Sequence, residues 1–260
     1  MDKSVENISY HRPEWDEQGR PYYTAITYPQ SENHQSVLLK LADRIIPVIF
    51  IPGVMGSNLI NENGEVWQSS ATSFSKWLFA NPRKRKDLLD PKTTQVDVSG
   101  KIRNESGDGN RFPSRRTRGW GSALFMSYGE SLDKLQYMLN DDEVLLDKYF
   151  CEEIRQTIRQ QIIGVSLGAE VGEEPLTDEE IWHSFRFAYP LHVFGYNWLQ
   201  SNADSAKLLQ DYIAEVFRMY AGRLACGKVI LITHSMGGWS PVTILKTWVG
   251  KIAFSASFTG

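Results

Sequence analysis

Three short apolar runs stand out along the chain, at residues 45–51, 191–194 and 228–233. They are rich in β-branched side chains and lack the regular polar alternation of a strand with one face in water. A short run of this kind is typical of a strand buried on both faces, as in a parallel sheet covered by helices. The pattern therefore predicts three buried strands, one early in the chain and two late.

Residues 203–221, between the second and third runs, repeat apolar side chains at the spacing of a helix. The predicted buried face consists of Leu208, Leu209, Tyr212, Ile213, Val216, Phe217 and Tyr220. Gly222 and Gly227 follow, and glycine commonly ends a helix. A strand, a helix and a second strand at this spacing form a βαβ unit, which predicts parallel strands and an α/β fold.

The rest of the chain predicts less regular structure. Residues 1–44 form a lead-in broken by prolines, with one or two helical turns expected at 36–43. Residues 60–140, which carry clusters of basic side chains, suit an irregular insertion better than a sheet layer. Within residues 142–164, apolar side chains recur every four positions and predict an amphipathic helix. Residues 177–180 read Thr-Asp-Glu-Glu, a capping box that opens a short helix.

Composition narrows the class of protein further. The chain has 260 residues, of which 42% are hydrophobic and 23% charged, which is typical of a globular protein and excludes a disordered or collagen-like one. A net charge of −3 gives no indication of nucleic-acid binding. Cys151 and Cys226 are too far apart for a metal motif and predict two buried free thiols. Residues 1–15 are polar, so no secretory signal is visible, and no run is long enough for a membrane-spanning helix.

The strongest chemical signal is the sequence Thr233-His234-Ser235-Met236-Gly237, directly after the third apolar run. A serine on a tight turn between a strand and a helix forms a nucleophile elbow, which exposes its hydroxyl and directs the next N–H at a developing oxyanion. Gly237 meets the need for a small residue, whereas Thr233 stands where glycine is usual. A serine that merely caps the next helix is the alternative, but the preceding strand favours the elbow.

The second signal is the glycine-rich turn at residues 52–56, after the first apolar run. An α/β hydrolase takes its second oxyanion-hole N–H from a loop in this place, and glycine lets the backbone approach a substrate closely. An ordinary strand-ending turn is the alternative. The turn and the serine support each other because the same reaction requires both.

Three spaced blocks together resemble lipases of the lecithin:cholesterol acyltransferase type. Residues 48–59 resemble their first-strand block, Gly195-Tyr196-Asn197-Trp198 is similar to their Tyr-Asp-Trp block, and His-Ser-Met-Gly-Gly at 234–238 resembles their elbow. Residues 195–202 are also similar to a run in bacterial type VI secretion lipase effectors. The resemblance implies an incomplete parallel α/β-hydrolase sheet with a large cap insertion. The implied parts are a lead-in at 1–44, a core at 45–59 and 186–260, and a cap at 60–185.

The resemblance also implies roles for individual residues. Ser235 would be the nucleophile, and the N–H groups of Met236 and Val54 would form the oxyanion hole, with Met55 as the alternative to Val54. The implied activity is hydrolysis of a phospholipid or other ester lipid, at a membrane surface and without a metal or cofactor. Basic side chains could contact anionic headgroups, although solvated surface arginines are the preferred interpretation.

The same resemblance implies where such a protein acts and with what. It implies synthesis in the bacterial cytoplasm and export by type VI secretion into the periplasm of a target cell. A component of the secretion apparatus and an immunity protein are the implied partners, and nucleic acid is not.

The sequence departs from the hydrolase pattern after Ser235. The acid and histidine of the triad should follow the nucleophile along the chain, yet no Asp, Glu or His does so. Of the five histidines, His234 is expected to point away from the nucleophile, and none has a supported role as the base. We therefore expect a C-terminally incomplete lipase with little or no esterase activity. A non-catalytic remnant that binds a lipid or a partner, and an acyltransferase, are the alternatives.

Residues 239–260 fit the pattern poorly as well. Trp239-Ser240-Pro241 stands where the helix behind an elbow usually has small and aliphatic residues. One permitted set of codons, read in a shifted frame, gives Leu-Val-Ala-Arg-Tyr-Tyr, which is typical of such a helix. A frameshift at codon 239 is the interpretation that this fit suggests, whereas a deliberate truncation would explain the end at Gly260 but not the unusual tail.

Overall fold

The fold is mixed α/β, and several of its strands pair in parallel. The computed structural model describes residues 7–11, 14–17, 20–24, 34–38, 42, 44–70, 79–106, 108, 111–140, 158–168, 172–221 and 226–235. The predicted helix over 142–164 lies mostly outside these ranges, as do Cys151, Met236 and the whole tail after it.

Twelve short strands and five helices make up the described structure. The strands are β1 (Asn7–His11), β2 (Glu14–Trp15), β3 (Pro21–Tyr22), β4 (His34–Leu38), β5 (Arg44–Ile45), β6 (Val48–Ile51), β7 (Leu59–Asn61), β8 (Gly64–Trp67), β9 (Gln95–Val96), β10 (Phe187–Ala188), β11 (Leu191–Val193) and β12 (Ile230–Thr233). The helices are α1 (Pro82–Leu88), α2 (Phe125–Asn140), α3 (Ile158–Gln161), α4 (Asp178–Ser184) and α5 (Asn202–Tyr220), and a 3-10 turn spans Trp120–Ser122.

The three apolar runs form one parallel sheet in the order β11-β6-β12. Val48 of β6 pairs with Leu191 on one side and with Ile230 on the other. β5 and β10 extend two of these strands as a separate parallel pair, because Pro47 and Pro190 lack the N–H that an unbroken ladder needs. The prediction of parallel strands in an α/β fold is confirmed.

The central strand is buried on both faces, as its composition predicted. Ile49 and Ile51 pack on the side covered by α5, in a cluster with Leu209 and Val216. Val48 and Phe50 pack on the opposite side, in a cluster that includes Trp120 and Leu132 of α2. The described sheet therefore lies between α5 and α2, and its strand ends are positioned from both faces.

Helix α5 runs one residue earlier than predicted. Ser201 caps it by accepting the Asp204 N–H at 3.2 Å, and Asp204 adds a negative charge in the first turn. Most of the predicted face is buried or half-buried. Leu208 is the exception, because 52% of it is exposed, and its assignment to the core was wrong.

Residues 60–140 are more ordered than their sequence indicated. A small antiparallel sheet in the order β8-β7-β9 follows directly after the first core strand. Asn58, buried at its base, donates to the carbonyls of Gly121 and Ala123 at 2.8 and 2.9 Å. The insertion is therefore joined to the core through backbone groups, and its description as irregular was wrong for this part.

The basic clusters were interpreted as solvated surface arginines, and this was wrong for Arg115 and Arg118. Arg115 and Arg118 are fully buried. Arg118 donates to the Leu191 carbonyl at 2.8 Å and to Gln136 at 2.7 Å, while Arg115 lies over the Trp120 ring at 4.4 Å. The Arg118 guanidinium thus fastens the insertion to β11, whereas the Arg115 guanidinium binds groups within the insertion.

Three smaller predictions have mixed outcomes. The capping box is confirmed: Thr177 accepts the Glu180 N–H, and Glu180 accepts the Thr177 N–H at 2.9 Å. Residues 36–38 belong to strand β4, so a helical turn there was wrong. Cys226 is a free thiol but only half-buried, and burial raises its pKa to about 11.

None of the helices in the described part is long and apolar enough to cross a membrane.

Candidate active site

Ser235 lies immediately beyond the carboxyl end of β12. The strand pairs with β6 as far as Thr233, and the His234 N–H donates to the Ile51 carbonyl at 3.1 Å. Ser235 then takes a φ of +53°, in the left-handed region, and its side chain is exposed. Non-glycine residues adopt this conformation at a cost of about 1–3 kcal/mol, usually at functional sites. An exposed, left-handed serine directly after a parallel strand is the geometry that a nucleophile elbow requires.

The turn after β6 leaves two of its backbone N–H groups without an acceptor among the described residues. The Gly56 N–H donates to the Gly53 carbonyl at 3.0 Å, which closes the turn, and Met55 has a φ of +63°. The Gly53 N–H donates to the Tyr128 hydroxyl at 3.2 Å. Among the described residues, no acceptor lies within reach of the Val54 or Met55 N–H. These two groups are therefore the donors that the turn could offer an oxyanion.

The turn and the serine touch each other. A Cβ added at Gly53 would lie 3.1 Å from the Ser235 Cβ and 3.1 Å from the His234 Nδ1. Both distances are shorter than most contacts of a Cβ, so a side chain here would require the neighbouring groups to move by a few tenths of an ångström. The structure thus brings together Ser235 and the turn that carries Val54, while Met236 lies outside the described residues.

A cavity of ≈610 Å³ opens beside these loops. Its apolar wall consists of Phe50, Val54, Met55, Trp67 and Leu124. Its polar lining includes Ser127, Tyr128, Ser131 and His234. An apolar cavity with a few convergent polar groups, next to an exposed serine, suits the acyl chain of an ester better than a highly charged ligand.

His234 is the histidine that faces this cavity. Its Nδ1 lies 2.9 Å from the Tyr128 hydroxyl, and the two rings meet edge to face with centroids 5.8 Å apart. His192 is fully buried instead, with its Nε2 2.8 Å from the Tyr220 hydroxyl. Burial, and secondarily the charge of Arg118, lowers the pKa of His192 to about 3. His192 is therefore neutral at physiological pH and lies in the core, away from the cavity lining.

The Gly-Tyr-Asn-Trp block fastens the end of β11 to the segment that follows the turn. The Tyr196 N–H donates to the Ser57 hydroxyl at 3.0 Å, and the Trp198 indole donates to the Ser57 carbonyl at 3.3 Å. Asn197 donates to the Thr94 carbonyl at 2.9 Å. Burial, and secondarily the electrostatic interaction with Tyr128, raises the pKa of Tyr196 to about 12. The block thus supports the site by position, without contributing an ionised group.

Sequence reasoning missed Tyr128. It lies in α2, and the Tyr128 N–H donates to the Leu124 carbonyl in the first turn of that helix. No motif surrounds it, and residues 60–140 were interpreted as an irregular insertion. The spacing of Leu124 and Tyr128, four positions apart on the cavity side of a helix, was the available signal.

Replacing Gly56 with alanine is expected to destabilise the turn. A Cβ there would lie 2.8 Å from the Gly53 carbonyl oxygen and 2.8 Å from the Tyr128 Cε2. Overpacking of this kind lowers the free energy of unfolding by about 1–3 kcal/mol. Gly227→Ala is the matched control, because no described atom lies within 4 Å of its added Cβ. Urea unfolding measures both variants, and an equal effect of the two would contradict the role of Gly56.

Comparison with known proteins gives one informative likeness. No protein-family model matches the chain, and no curated protein matches it. Among solved structures, the chain is similar to one in the crystal structure of the Tle4–Tli4 complex, with 27% sequence identity and a TM-score of 0.65. The likeness covers 84% of this chain and 46% of that one, so this chain spans less than half the length of its solved neighbour.

Proposed function

We propose that this chain carries the nucleophile and the oxyanion turn of a serine-dependent lipase with an α/β-hydrolase fold, of the type VI secretion effector kind. The observation that carries the proposal is the left-handed Ser235, directly beyond a parallel strand and in contact with the turn at Gly53. The likeness to a chain of the Tle4–Tli4 complex supports it, because that complex pairs a type VI lipase effector with an immunity protein.

The proposed substrate is a phospholipid or another ester lipid. The cavity wall is mainly apolar, and Val54 and Met55 at its rim are 40% and 44% exposed. Leu124 and Tyr128 on its other side belong to the proposed cap at residues 60–185. An acyl chain would lie between the cap and the turn, with its ester group near Ser235.

The proposed reaction is acyl transfer to Ser235 followed by hydrolysis. The Ser235 Oγ attacks the ester carbonyl, and its proton passes through a general base to the departing alcohol as the ester C–O bond breaks. The N–H of Val54 or Met55, together with that of Met236, donates a hydrogen bond to the developing oxyanion. Water then cleaves the acyl–Oγ bond and regenerates the serine. Among the histidines whose side chains the structure describes, none is held by a carboxylate at the cavity, so we expect the unassisted rate to be low.

The proposed partner and location follow from the same likeness. An immunity protein that resembles Tli4 would bind this chain. Delivery by a type VI secretion apparatus into the periplasm of a target cell would bring the cavity to its phospholipid substrate. Neither proposal requires a metal or an organic cofactor, because the reaction uses the serine, backbone donors and a base.

The role of Ser235 as the nucleophile is tested by adding imidazole as a general base from solution. Hydrolysis of p-nitrophenyl butyrate is measured with increasing imidazole for the wild-type chain and for Ser235→Ala. A positioned base contributes about 10²–10⁴-fold to such reactions, so we expect a diffusing one to raise the Ser235-dependent rate about tenfold. Subtracting the Ser235→Ala rate removes the background hydrolysis by imidazole itself.

Ser127→Ala is the matched control, because Ser127 also lines the cavity but follows no strand. It should retain the imidazole-dependent rate of the wild type. Equal rates for the wild type and Ser235→Ala at every imidazole concentration would exclude Ser235 as the nucleophile. Repeating the series with a medium-chain phosphatidylethanolamine tests whether an ester lipid is accepted.

A further inference from the structure

We infer that Tyr128 is a positioning residue whose hydroxyl holds the oxyanion turn and the serine elbow in register. The inference rests on the proposed function, because it assigns Tyr128 a role in the same reaction. Tyr128 belongs to α2, within the insertion, and contributes no atom to the bond changes themselves. Its hydroxyl is nevertheless the described side-chain group that contacts both loops.

The Tyr128 hydroxyl can serve as an acceptor in one of its two contacts and as a donor in the other. The oxygen accepts the Gly53 N–H at 3.2 Å and lies 2.9 Å from the His234 Nδ1. A phenolic hydroxyl has one proton to donate and lone pairs to accept. Gly53 engages one lone pair of the oxygen; in the inferred arrangement the hydroxyl donates its proton to Nδ1, and the imidazole proton lies on Nε2. One group thereby fixes the start of the turn and the orientation of the residue before Ser235.

Because the Gly53 N–H is already hydrogen-bonded, it is not among the donors that the turn can offer an oxyanion. That N–H is directed at Tyr128, and the Gly56 N–H closes the turn on the Gly53 carbonyl. Only the N–H groups of the two central residues, Val54 and Met55, are then left for an oxyanion. Loss of the Tyr128 hydroxyl would leave the buried Gly53 N–H without this acceptor. The turn would then rotate or recruit water, and its donors would lose their fixed direction.

The tyrosine ring is itself held in place, so the hydroxyl is preorganised. The Tyr128 ring meets the Phe50 ring edge to face at 5.1 Å, and Phe50 is part of the central strand β6. On its other side, the ring lies so close to Gly56 that a Cβ there would be 2.8 Å from Cε2. A group fixed by packing loses little further freedom when it orients a reacting loop.

Tyr128→Phe tests the hydroxyl while it keeps the ring. We expect the imidazole-assisted, Ser235-dependent rate to fall about 10- to 100-fold, as small misplacements of reacting groups do. The apparent KM should change by less than about twofold, because the ring that lines the cavity remains. Tyr137→Phe is the matched control on the same helix, since the Tyr137 hydroxyl accepts from Asn104 at 3.2 Å and does not line the cavity.

A second readout does not depend on activity. Nitrogen-15 NMR of the His234 ring should show the proton on Nε2 in the wild type and a mixture of tautomers in Tyr128→Phe. Hydrogen exchange of the Gly53 amide should be slow in the wild type and in Tyr137→Phe, and at least tenfold faster in Tyr128→Phe. Should Tyr128→Phe not fold, His234→Ala tests the same bond from its other end and should also accelerate Gly53 exchange.

The two readouts separate this inference from the proposed function. If imidazole gives no Ser235-dependent rate, the proposed function is wrong, and the NMR series still decides the role of Tyr128. Unchanged His234 nitrogen shifts and unchanged Gly53 exchange in Tyr128→Phe would overturn the inference. If the wild type hydrolyses the ester through Ser235, a rate and KM of Tyr128→Phe equal to those of Tyr137→Phe would also overturn the inference.

Discussion

Replacing Asp108 with asparagine is expected to lower the free energy of unfolding by about 3–5 kcal/mol, as loss of one partner from a buried ion pair does. Asp108 accepts from Arg115 at 3.0 and 3.1 Å and also accepts from Arg118. Both guanidinium groups are fully buried, and Asp133 is the other carboxylate bound to Arg115. Without the Asp108 charge, Arg118 would lose the carboxylate that the structure pairs with it, and Arg115 would keep only Asp133.

The pair Glu105–Arg116 supplies the control for this experiment. Its atoms lie 2.7 Å apart, but the two side chains are 45% and 41% exposed. An exposed pair of this kind contributes at most about 1 kcal/mol, so Glu105→Gln should have a small effect. Urea unfolding at neutral pH measures both variants. If Asp108→Asn and Glu105→Gln shift the midpoint equally, the buried cluster does not stabilise the insertion as described.

Acidification between pH 6.5 and pH 3 is expected to destabilise the fold through His192 by about 1.4 kcal/mol for each pH unit. The pKa of His192 is lowered from 6.5 to about 3 in the folded protein, mainly by burial. Below pH 6.5 the unfolded chain therefore binds a proton that the folded chain does not. The contribution to stability is fully present above pH 6.5 and is lost progressively as the pH falls towards 3.

The slope of stability against pH isolates this residue from other titrating groups. Urea unfolding of the wild type and of His192→Gln is measured from pH 7 down to pH 4.5. His192→Gln will lower stability by a constant amount, but its slope should be shallower by the stated value. His183→Gln, at an exposed position in α4, should keep the wild-type slope. Identical slopes for the wild type and His192→Gln would contradict the assignment.

The core of the fold was predictable from the sequence because its signals are local. A run such as residues 45–51 is short and β-branched, which favours an inner strand over a buried helix, and the period of α5 identifies its buried side. Leu208 shows the limit of this reasoning, since an apolar residue on the edge of a helical stripe can still face solvent. Sequence period gives the direction of a side chain but not the width of the surface that covers it.

The insertion was less predictable because its order depends on contacts distant in sequence. Arg115 and Arg118 look like surface residues until Asp108, Asp133 and the Leu191 carbonyl are placed around them. No spacing rule predicts that arrangement, because burying a charge is favourable only once its partners are in position. The candidate site divides in the same way, since motifs indicated the serine and the turn, whereas the tyrosine between them had none.

The span of chain between the two loops of the site has a consequence for biosynthesis. The turn at Gly53 leaves the ribosome about 180 residues before Ser235. Tyr128 binds the turn itself, and Ser122 and Tyr196 bind the residues that directly follow it. Contacts of such long range form late and slow folding. The nascent turn must therefore remain without each of these partners until that partner has been synthesised. A polypeptide released or cleaved before β12 emerges would lack the strand and serine that complete this end of the sheet.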